Sequence, residues 1–187
     1  MRYFIALEIP EEAKIQLKET QEGLKAIIPD ARLTDNEKLH ITIAFIGEQP
    51  IDVLKKLTEV IENAARDISP FILTPGYIDG FPTLHHPHIL WVGVKEDVDK
   101  LFLLRERIKD GLQDLQLEVD ERRYTPHIAI AKIRGNFSLN QATEDALQSL
   151  TSSKSFEPIK VDSIKLFEST PNHGFHSHNT LAQIPLI

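Results

Sequence analysis

The stretch Leu39-His40-Ile41-Thr42-Ile43-Ala44-Phe45-Ile46 decides how the rest of this chain is interpreted. Large apolar residues occupy every second position, and His40, Thr42 and Ala44 stand between them. A period of two is typical of a half-buried β-strand. We therefore expect a strand that turns its large apolar residues, Phe45 among them, towards the core. The imidazole and the hydroxyl then share the opposite face.

A second stretch, Pro126-His127-Ile128-Ala129-Ile130-Ala131-Lys132, has the same pattern. Its isoleucines are expected in the core, and His127 is expected on the polar face with Thr125 and Ala129. A histidine on a strand is, by itself, more often a hydrogen-bonded structural residue than a catalytic one. Two histidines in the same local setting favour a shared chemical role.

The similarity of the two stretches extends well beyond the histidines. These are 87 residues apart (127 − 40 = 87), and the same shift lays the apolar strand Arg2–Leu7 on Ile89–Val94. A helical stretch follows in both copies, and then the histidine strand. We infer an internal duplication, with repeats of about residues 1–87 and 88–187. A pseudo-twofold axis between them would place one imidazole on each wall of a cleft.

The pattern along the chain predicts an α+β protein. We expect a single bilobal domain over residues 1–187, made of two pseudo-symmetric lobes with the active-site cleft between them. Each lobe is an antiparallel sheet with helices on its outer face, and whether the termini cross between the lobes is left open. Locally, Leu115–Val119 is expected to form an edge strand. A loop over Pro171–His178 is expected before a short last strand, Thr180–Ile184.

Composition limits the classes of protein that fit. The chain has 187 residues, 41% of them hydrophobic, which is enough for a well-buried core. The absence of cysteine excludes disulfides, thiolate metal sites and a cysteine nucleophile. No apolar run is long enough for a signal peptide or a membrane span, so we expect a cytoplasmic protein without a membrane partner.

Charge narrows the possible partners further. The net charge of −7 argues against a protein that coats nucleic acid by general electrostatics. A local basic cluster nevertheless flanks the second histidine strand, and it is either a small anion site or a set of solvated surface charges. Its members are Arg122, Arg123, Lys132 and Arg134.

Taken together, these residues resemble a known family. His40-Ile41-Thr42 and the later His127-Ile128-Ala129 resemble the paired His-x-Thr/Ser signature of the two-histidine (2H) phosphoesterases. More narrowly, the chain is similar to the RNA 2',3'-cyclic phosphodiesterases, also known as bacterial and archaeal 2'-5' RNA ligases. The opening Arg2–Ala6 and the loop Gly80–Pro82 are also similar to that family.

The resemblance implies a reaction and roles for residues. It implies hydrolysis of an RNA or nucleoside 2',3'-cyclic phosphate to a 2'-phosphate, with no metal and no cofactor. His40 would be the proton donor and His127 the proton acceptor, although the residues themselves do not assign which is which. In-line attack on phosphorus needs an acid and a base on opposite sides, and histidine titrates in the right range for both.

Phosphate binding is the point at which the chain departs from the family pattern. Thr42, Thr125 and Lys132 are the candidate phosphate-binding residues. The family's second motif carries Thr or Ser where this chain has Ala129, and Lys132 stands where the family often has Arg. Thr125 lies on the same face, two residues or about 7 Å before His127 along the strand. Loss of one phosphate donor costs on the order of ten- to a thousandfold in rate.

Two aromatic residues and the remaining histidines are further candidates for roles in binding. Phe81 and Tyr77 are candidates for stacking a base, although core packing is the commoner role of aromatic residues in strands. Two groups of histidines have spacings that a zinc site could use, but no cysteine or evident carboxylate completes either, so we expect no metal. The groups are His85, His86 and His88, and His173, His176 and His178.

Three functions stay open at this point. The favoured one is a phosphodiesterase acting on RNA 3' ends or cyclic nucleotides, expected to be a monomer. The second is the reverse reaction, 2'-5' ligation of RNA pieces such as tRNA fragments. The third is a catalytically weak module that binds RNA ends or nucleotides, which Ala129 favours.

Overall fold

The computed structural model of the chain describes residues 1–172 and 175–187. Within those residues it contains nine β-strands and four α-helices. The strands are β1 (Arg2–Glu8), β2 (Arg32–Leu33), β3 (His40–Glu48), β4 (Phe71–Pro82), β5 (Pro87–Glu96), β6 (His127–Lys132), β7 (Ile159–Val161), β8 (Ser163–Asn172) and β9 (Phe175–Pro185). The helices are α1 (Glu11–Ile27), α2 (Leu54–Ala65), α3 (Val98–Asp114) and α4 (Gln141–Ser152).

The element order repeats with the spacing of the two histidines. The elements α1, β3 and α2 begin at residues 11, 40 and 54. Their counterparts α3, β6 and α4 begin at residues 98, 127 and 141, so that each start lies 87 residues later. Helices of the two repeats therefore have the same position and length, as expected of a duplicated chain.

The strands form one antiparallel sheet in the order β7-β4-β5-β6-β3-β1-β8-β9, and β2 pairs with β6. The α+β class is therefore confirmed. The two expected lobe sheets are joined rather than separate, since β3 and β6 pair through Ile41 and Ile128. The two histidine strands are therefore neighbours at the centre of the sheet. Because only this residue pair joins them, the strands separate on either side of it.

One late strand of each repeat pairs with the first strand of the other repeat. Strand β4, from the first repeat, pairs with β5 of the second. Strand β8, from the second repeat, pairs with β1 of the first. On the helical side, α1 contacts α4 and α2 contacts α3, a packing that a twofold relation between repeats produces. Neither half of the sheet is built from one repeat alone.

Apolar side chains from both repeats form one core. The isoleucines at the junction of the two halves, Ile41 and Ile128, are fully buried, and so are Leu57 of α2 and Leu104 of α3. Burying a side chain of this size stabilises the fold by about 1.5–3 kcal/mol relative to leaving it exposed. None of the helices in the described part of the chain combines the length and the apolar character needed to cross a lipid bilayer.

Two local predictions are wrong. Residues Leu115–Val119 form no strand, because α3 ends at Asp114 and the N–H of Leu115 bonds back to Gly111 and Leu112. The alternating apolar side chains of that stretch pack against the core without a partner strand. The expected loop over Pro171–His178 is wrong on both sides of residues 173–174, which lie outside the described chain, since β8 continues to Asn172 and β9 begins at Phe175.

Candidate active site

A β-bulge shapes each histidine strand at the same place. The extra residue is Ile43 in β3, opposite β1, and Ile130 in β6, opposite β5. Each lies three residues after its histidine. A bulge makes two consecutive side chains face the same way, and each bulged isoleucine is buried together with the alanine that follows it. The next residues, Phe45 and Lys132, therefore return to the face that carries the histidines.

The bulge overturns the prediction for Phe45. Its side chain is 68% exposed, whereas the uninterrupted alternation placed it in the core. Ala44 was expected beside Thr42 on the polar face, and it is buried. The prediction holds for Ile41 and Ile43, which precede the shift in register and are buried.

Both imidazoles are held in the same way. The Nδ1–H of His40 donates to the carbonyl oxygen of Lys38 at 2.6 Å, and that of His127 donates to the carbonyl of Thr125 at 2.7 Å. A carbonyl only accepts, so Nδ1 carries the hydrogen in both rings. Each Nε2 then has a lone pair when the ring is neutral and a proton when it is charged. Nε2 of each ring is thus the nitrogen that can take up or release a proton.

The two histidines lie on either side of the junction between the halves. Since Ile41 pairs with Ile128, His40 and His127 occupy diagonal positions on neighbouring antiparallel strands. Burial lowers the pKa of His40, the hydrogen bond to Lys38 opposes this, and the charge of His127 lowers the pKa further. Burial also lowers the pKa of His127, against the hydrogen bond to Thr125.

Aromatic rings supply the apolar surroundings of both imidazoles. The ring centroid of Phe4 on β1 lies 5.2 Å from that of His40. Trp91 on β5, 87 residues after Phe4, lies 5.5 Å from His127. Because these rings exclude water from one side of each imidazole, they contribute to the burial that disfavours the charged form.

Hydroxyl groups distinguish the two halves of the site. The Oγ1 of Thr42 lies 2.9 Å from Nε2 of His40, on the shared face that the period of two predicts. The counterpart of Thr42 is Ala129, which has no hydroxyl. Thr125 contacts His127 through its backbone carbonyl, and the residue also lines the pocket beside that histidine.

Lys132 lies apart from the other predicted phosphate-binding residues. It is exposed at the end of β6, and its backbone pairs with Arg32 of β2. Arg32 and Lys132 therefore bring two cations to neighbouring positions of adjacent strands. The strand direction puts this pair at the end of the cleft opposite to Phe45.

The structure separates the two predicted base-stacking residues. Phe81 lines the pocket and meets the His127 ring edge-on, with ring centroids 4.9 Å apart. Tyr77 packs edge-on against Trp91 at 5.9 Å and covers Gly93, where an added Cβ would lie 2.0 Å from the tyrosine ring. Tyr77 does not line the pocket next to His127.

Other residues of the site were missed by sequence reasoning. Tyr124 donates its hydroxyl hydrogen to the carbonyl of Thr42 at 2.8 Å, and burial raises its pKa. Arg105 on α3 is buried and donates to the carbonyls of Ile43 and Asp120, each at 2.9 Å. These contacts join α3 and the following segment to β3, which sequence spacing alone does not reveal.

A third histidine lies close to His40. The ring centroid of His178 on β9 is 5.6 Å from that of His40 and 4.9 Å from that of Phe4. Burial lowers the pKa of His178 to about 4, and the charges of His40, Lys38 and His176 lower it too. His178 had been grouped with His173 and His176 by spacing, but the structure brings it to the cleft.

The described members of the two histidine groups with zinc-like spacing belong to no metal-binding cluster. Within residues 1–172 and 175–187, no three His, Asp or Glu side chains come together in a way that could hold a metal ion. His173 lies outside the described residues. The His86 ring is instead 2.9 Å from the hydroxyl of Ser138, through Nδ1.

Comparisons with known proteins agree with the geometry. A family model described as the 2'-5' RNA ligase superfamily matches residues 13–173. The RNA 2',3'-cyclic phosphodiesterase of Methanocaldococcus jannaschii is 28% identical, over 91% of this chain and 92% of that protein. The protein of the same name from Geobacillus stearothermophilus is 30% identical, over 99% of this chain and 57% of that protein.

A solved structure shows the same fold. The protein TT0787 of Thermus thermophilus superimposes with a TM-score of 0.79 at 20% identity, covering 100% of this chain and 98% of that one. The resemblance seen in the sequence motifs is therefore confirmed at the level of the family. The chain belongs to the 2'-5' RNA ligase superfamily.

Proposed function

We propose that this chain hydrolyses the 2',3'-cyclic phosphate of RNA 3' ends or cyclic nucleotides to a 2'-phosphate. The observation that carries the proposal is the matched anchoring of two imidazoles, each by Nδ1 to a carbonyl, on adjacent strands of one sheet. The names of the similar proteins, RNA 2',3'-cyclic phosphodiesterase, support the same reaction.

The proposed reaction needs one proton acceptor and one proton donor. Neutral His127 takes a proton on Nε2 from water as the water oxygen attacks phosphorus. The bond from phosphorus to the 3' oxygen of the ribose breaks in line, and protonated His40 gives its Nε2 proton to that oxygen. The products are a free 3'-hydroxyl and a 2'-phosphate, and a proton exchange with solvent restores both histidines.

The remaining predicted residues have supporting roles in this proposal. Thr42 and Thr125 donate to the non-bridging oxygens of the phosphate, and Lys132 supplies positive charge from the far end of the strand. Phe81 offers an aromatic surface next to His127. We also propose that the chain acts as a monomer, because both histidines come from the same chain.

Replacement of each histidine tests the proposal. We expect His40→Ala and His127→Ala each to reduce kcat on a nucleoside 2',3'-cyclic phosphate by at least about a hundredfold, since each removes one proton-transfer group. The control is His86→Ala, which removes an exposed histidine from outside the cleft and should keep full activity. Undiminished turnover in both cleft variants would contradict the proposed chemistry.

Ala129 supports a second candidate, a module that binds RNA ends with little turnover. The missing hydroxyl removes a donor from one half of the site and leaves the cleft itself intact. Tight binding of a 2'-phosphate product, combined with negligible hydrolysis by the unaltered chain, would favour this candidate. Joining of two RNA fragments under the same conditions would reveal the ligating reaction, in which an RNA hydroxyl replaces water as the nucleophile.

A further inference from the structure

A pocket of about 390 Å³ opens beside His127 at the end of the cleft opposite to Lys132. Its lining comes from β3, β4, α3 and the segment that leads into β6. The residues that matter for its chemistry are Thr42, Phe45, Phe81, Arg105, Arg123 and Tyr124. A volume in this range suits a small organic ligand, and the pocket begins at one of the two catalytic candidates.

One wall of the pocket is an exposed aromatic ring. Phe45 is 68% exposed, and its ring centroid lies 6.2 Å from that of Phe4. The bulge at Ile43 turns Phe45 out of the core, which sacrifices the burial of a large apolar side chain. Aromatic side chains exposed beside a nucleic-acid site commonly stack on an unpaired base.

The charges around the pocket do not cancel. Arg122 and Asp120 neutralise each other, since the guanidinium donates to both carboxylate oxygens at 2.7–3.1 Å. Within residues 1–172 and 175–187, the Arg123 side chain has neither a hydrogen-bond acceptor nor a carboxylate partner. Arg105 donates only to carbonyls, and its guanidinium lies 5.3 Å from the Tyr124 ring centroid.

Among the described residues, the guanidinium groups of Arg105 and Arg123 thus form no ion pair at the pocket. The net charge of the whole chain is −7. A local positive field in an acidic protein attracts a small anion to that place, without making the rest of the surface bind nucleic acid. The exposed Arg123 can meet that anion directly, through the paired N–H groups that suit phosphate oxygens.

We infer that this pocket binds the terminal nucleotide through its base and its 5'-phosphate. The base stacks on Phe45, and the 5'-phosphate pairs with Arg123. The chain then prefers 2',3'-cyclic phosphates that carry a 5'-phosphate, as an RNA end does, over free nucleoside cyclic phosphates. This inference rests on the proposed function of the same cleft.

The spacing of the residues fits one nucleotide. Arg123 precedes His127 by four residues, so the two backbones are at most about 14 Å apart. Phe45 follows Thr42 by three residues, about 10 Å along the strand and less across the bulge. When the cyclic phosphate lies between the histidines, the ribose, its base and its 5' substituent can extend into the pocket towards Phe45 and Arg123.

A pair of substrates that differ by one phosphate tests the inference. The value of kcat/KM is compared for a nucleoside 2',3'-cyclic phosphate and for the same compound bearing a 5'-phosphate. We expect the unaltered chain to favour the 5'-phosphorylated compound by about tenfold, the effect of one charge-assisted hydrogen bond. Arg123→Gln should bring that ratio close to one.

Two further variants separate the contributions. Arg134→Gln removes the same charge from the other end of β6, and it should keep the ratio of the unaltered chain. Phe45→Leu should raise KM for both compounds without changing the ratio, because both carry the base. An unaltered chain that does not distinguish the two compounds, or an Arg123→Gln variant that still does, would overturn the inference.

A binding measurement separates this inference from the proposed reaction. Trp91, the one tryptophan of the chain, lies beside His127 and Phe81, so its fluorescence reports on occupancy of the cleft. Titration with a nucleoside 2',5'-bisphosphate and with the matching 2'-phosphate should show tighter binding of the bisphosphate, lost in Arg123→Gln. Equal affinities would overturn the pocket assignment, whereas absent hydrolysis would overturn only the reaction.

Discussion

The hydrogen bonds of His40 and His127 to carbonyl oxygens fix one tautomer of each ring, and burial then determines when each ring is charged. The base must be neutral and so is active above its pKa. The acid must be protonated and is active below its pKa. Because burial lowers both pKa values from 6.5, we expect the maximum of kcat/KM against pH below 6.5.

The bound substrate shifts this dependence in a known direction. The negative phosphate stabilises the charged form of both histidines, so the maximum of kcat should lie at a higher pH than that of kcat/KM. Both profiles can be measured on one nucleoside cyclic phosphate. A maximum of kcat/KM well above pH 7 would show that burial does not control these two groups.

Ala129 gives a second test at the residue level. We expect Ala129→Thr to raise kcat by on the order of tenfold or more, because a hydroxyl returns to the position equivalent to that of Thr42. Thr42→Ala should lower kcat in the opposite half of the site and is the matched comparison. If Ala129→Thr leaves a negligible rate unchanged while the product still binds tightly, the binding module becomes the better account.

The strands show what the sequence could and could not predict. The period of two correctly placed His40 with Thr42, because it needs only an uninterrupted strand. The same period wrongly predicted that Phe45 is buried. Ile43 and Ala44 are both apolar, so the residue types give no sign of the bulge between them. The duplication held the missing signal, since the equivalent of Phe45 is Lys132. A lysine at a repeat-related position argues against burial of either residue.

Tyr77 and Gly93 provide a test at the level of paired strands. An added Cβ at residue 93 would lie 2.0 Å from the Tyr77 ring, so Gly93→Ala should destabilise the fold by about 1–3 kcal/mol. Tyr77→Ala in the same chain should relieve most of that strain, giving a combined effect smaller than the sum. Urea denaturation of both single variants and the double variant measures this, and additive effects would contradict the packing.

In the molecule as a whole, the exchange of β4 and β8 joins the two repeats into one sheet. The spacing of 87 residues predicted the repeats, but pairing partners are long-range and leave no mark in the local pattern. For this reason the sequence left open whether the termini cross between the lobes. It also did not reveal that the two expected sheets join into one. The segment after α3 was misjudged for a related reason, since its apolar residues contact the core without a neighbouring strand.

This exchange predicts cooperative unfolding. Each half of the sheet contains a strand from the other repeat, so neither repeat can unfold without removing a strand from both halves. We expect the fluorescence of Trp91, in one half, and far-ultraviolet circular dichroism, from both halves, to report the same midpoint in urea. Two separate transitions would indicate that the halves are independent units.

In the proposed reaction, two opposed histidines direct water to one face of a cyclic phosphate and a proton to the 3' oxygen on the other. The most direct measurement is incubation with the four nucleoside 2',3'-cyclic phosphates, followed by chromatographic separation of the 2'- and 3'-phosphate products. We expect the 2'-phosphate alone, and its loss in His40→Ala and His127→Ala. Formation of the 3'-phosphate or of a mixture of both products would contradict it.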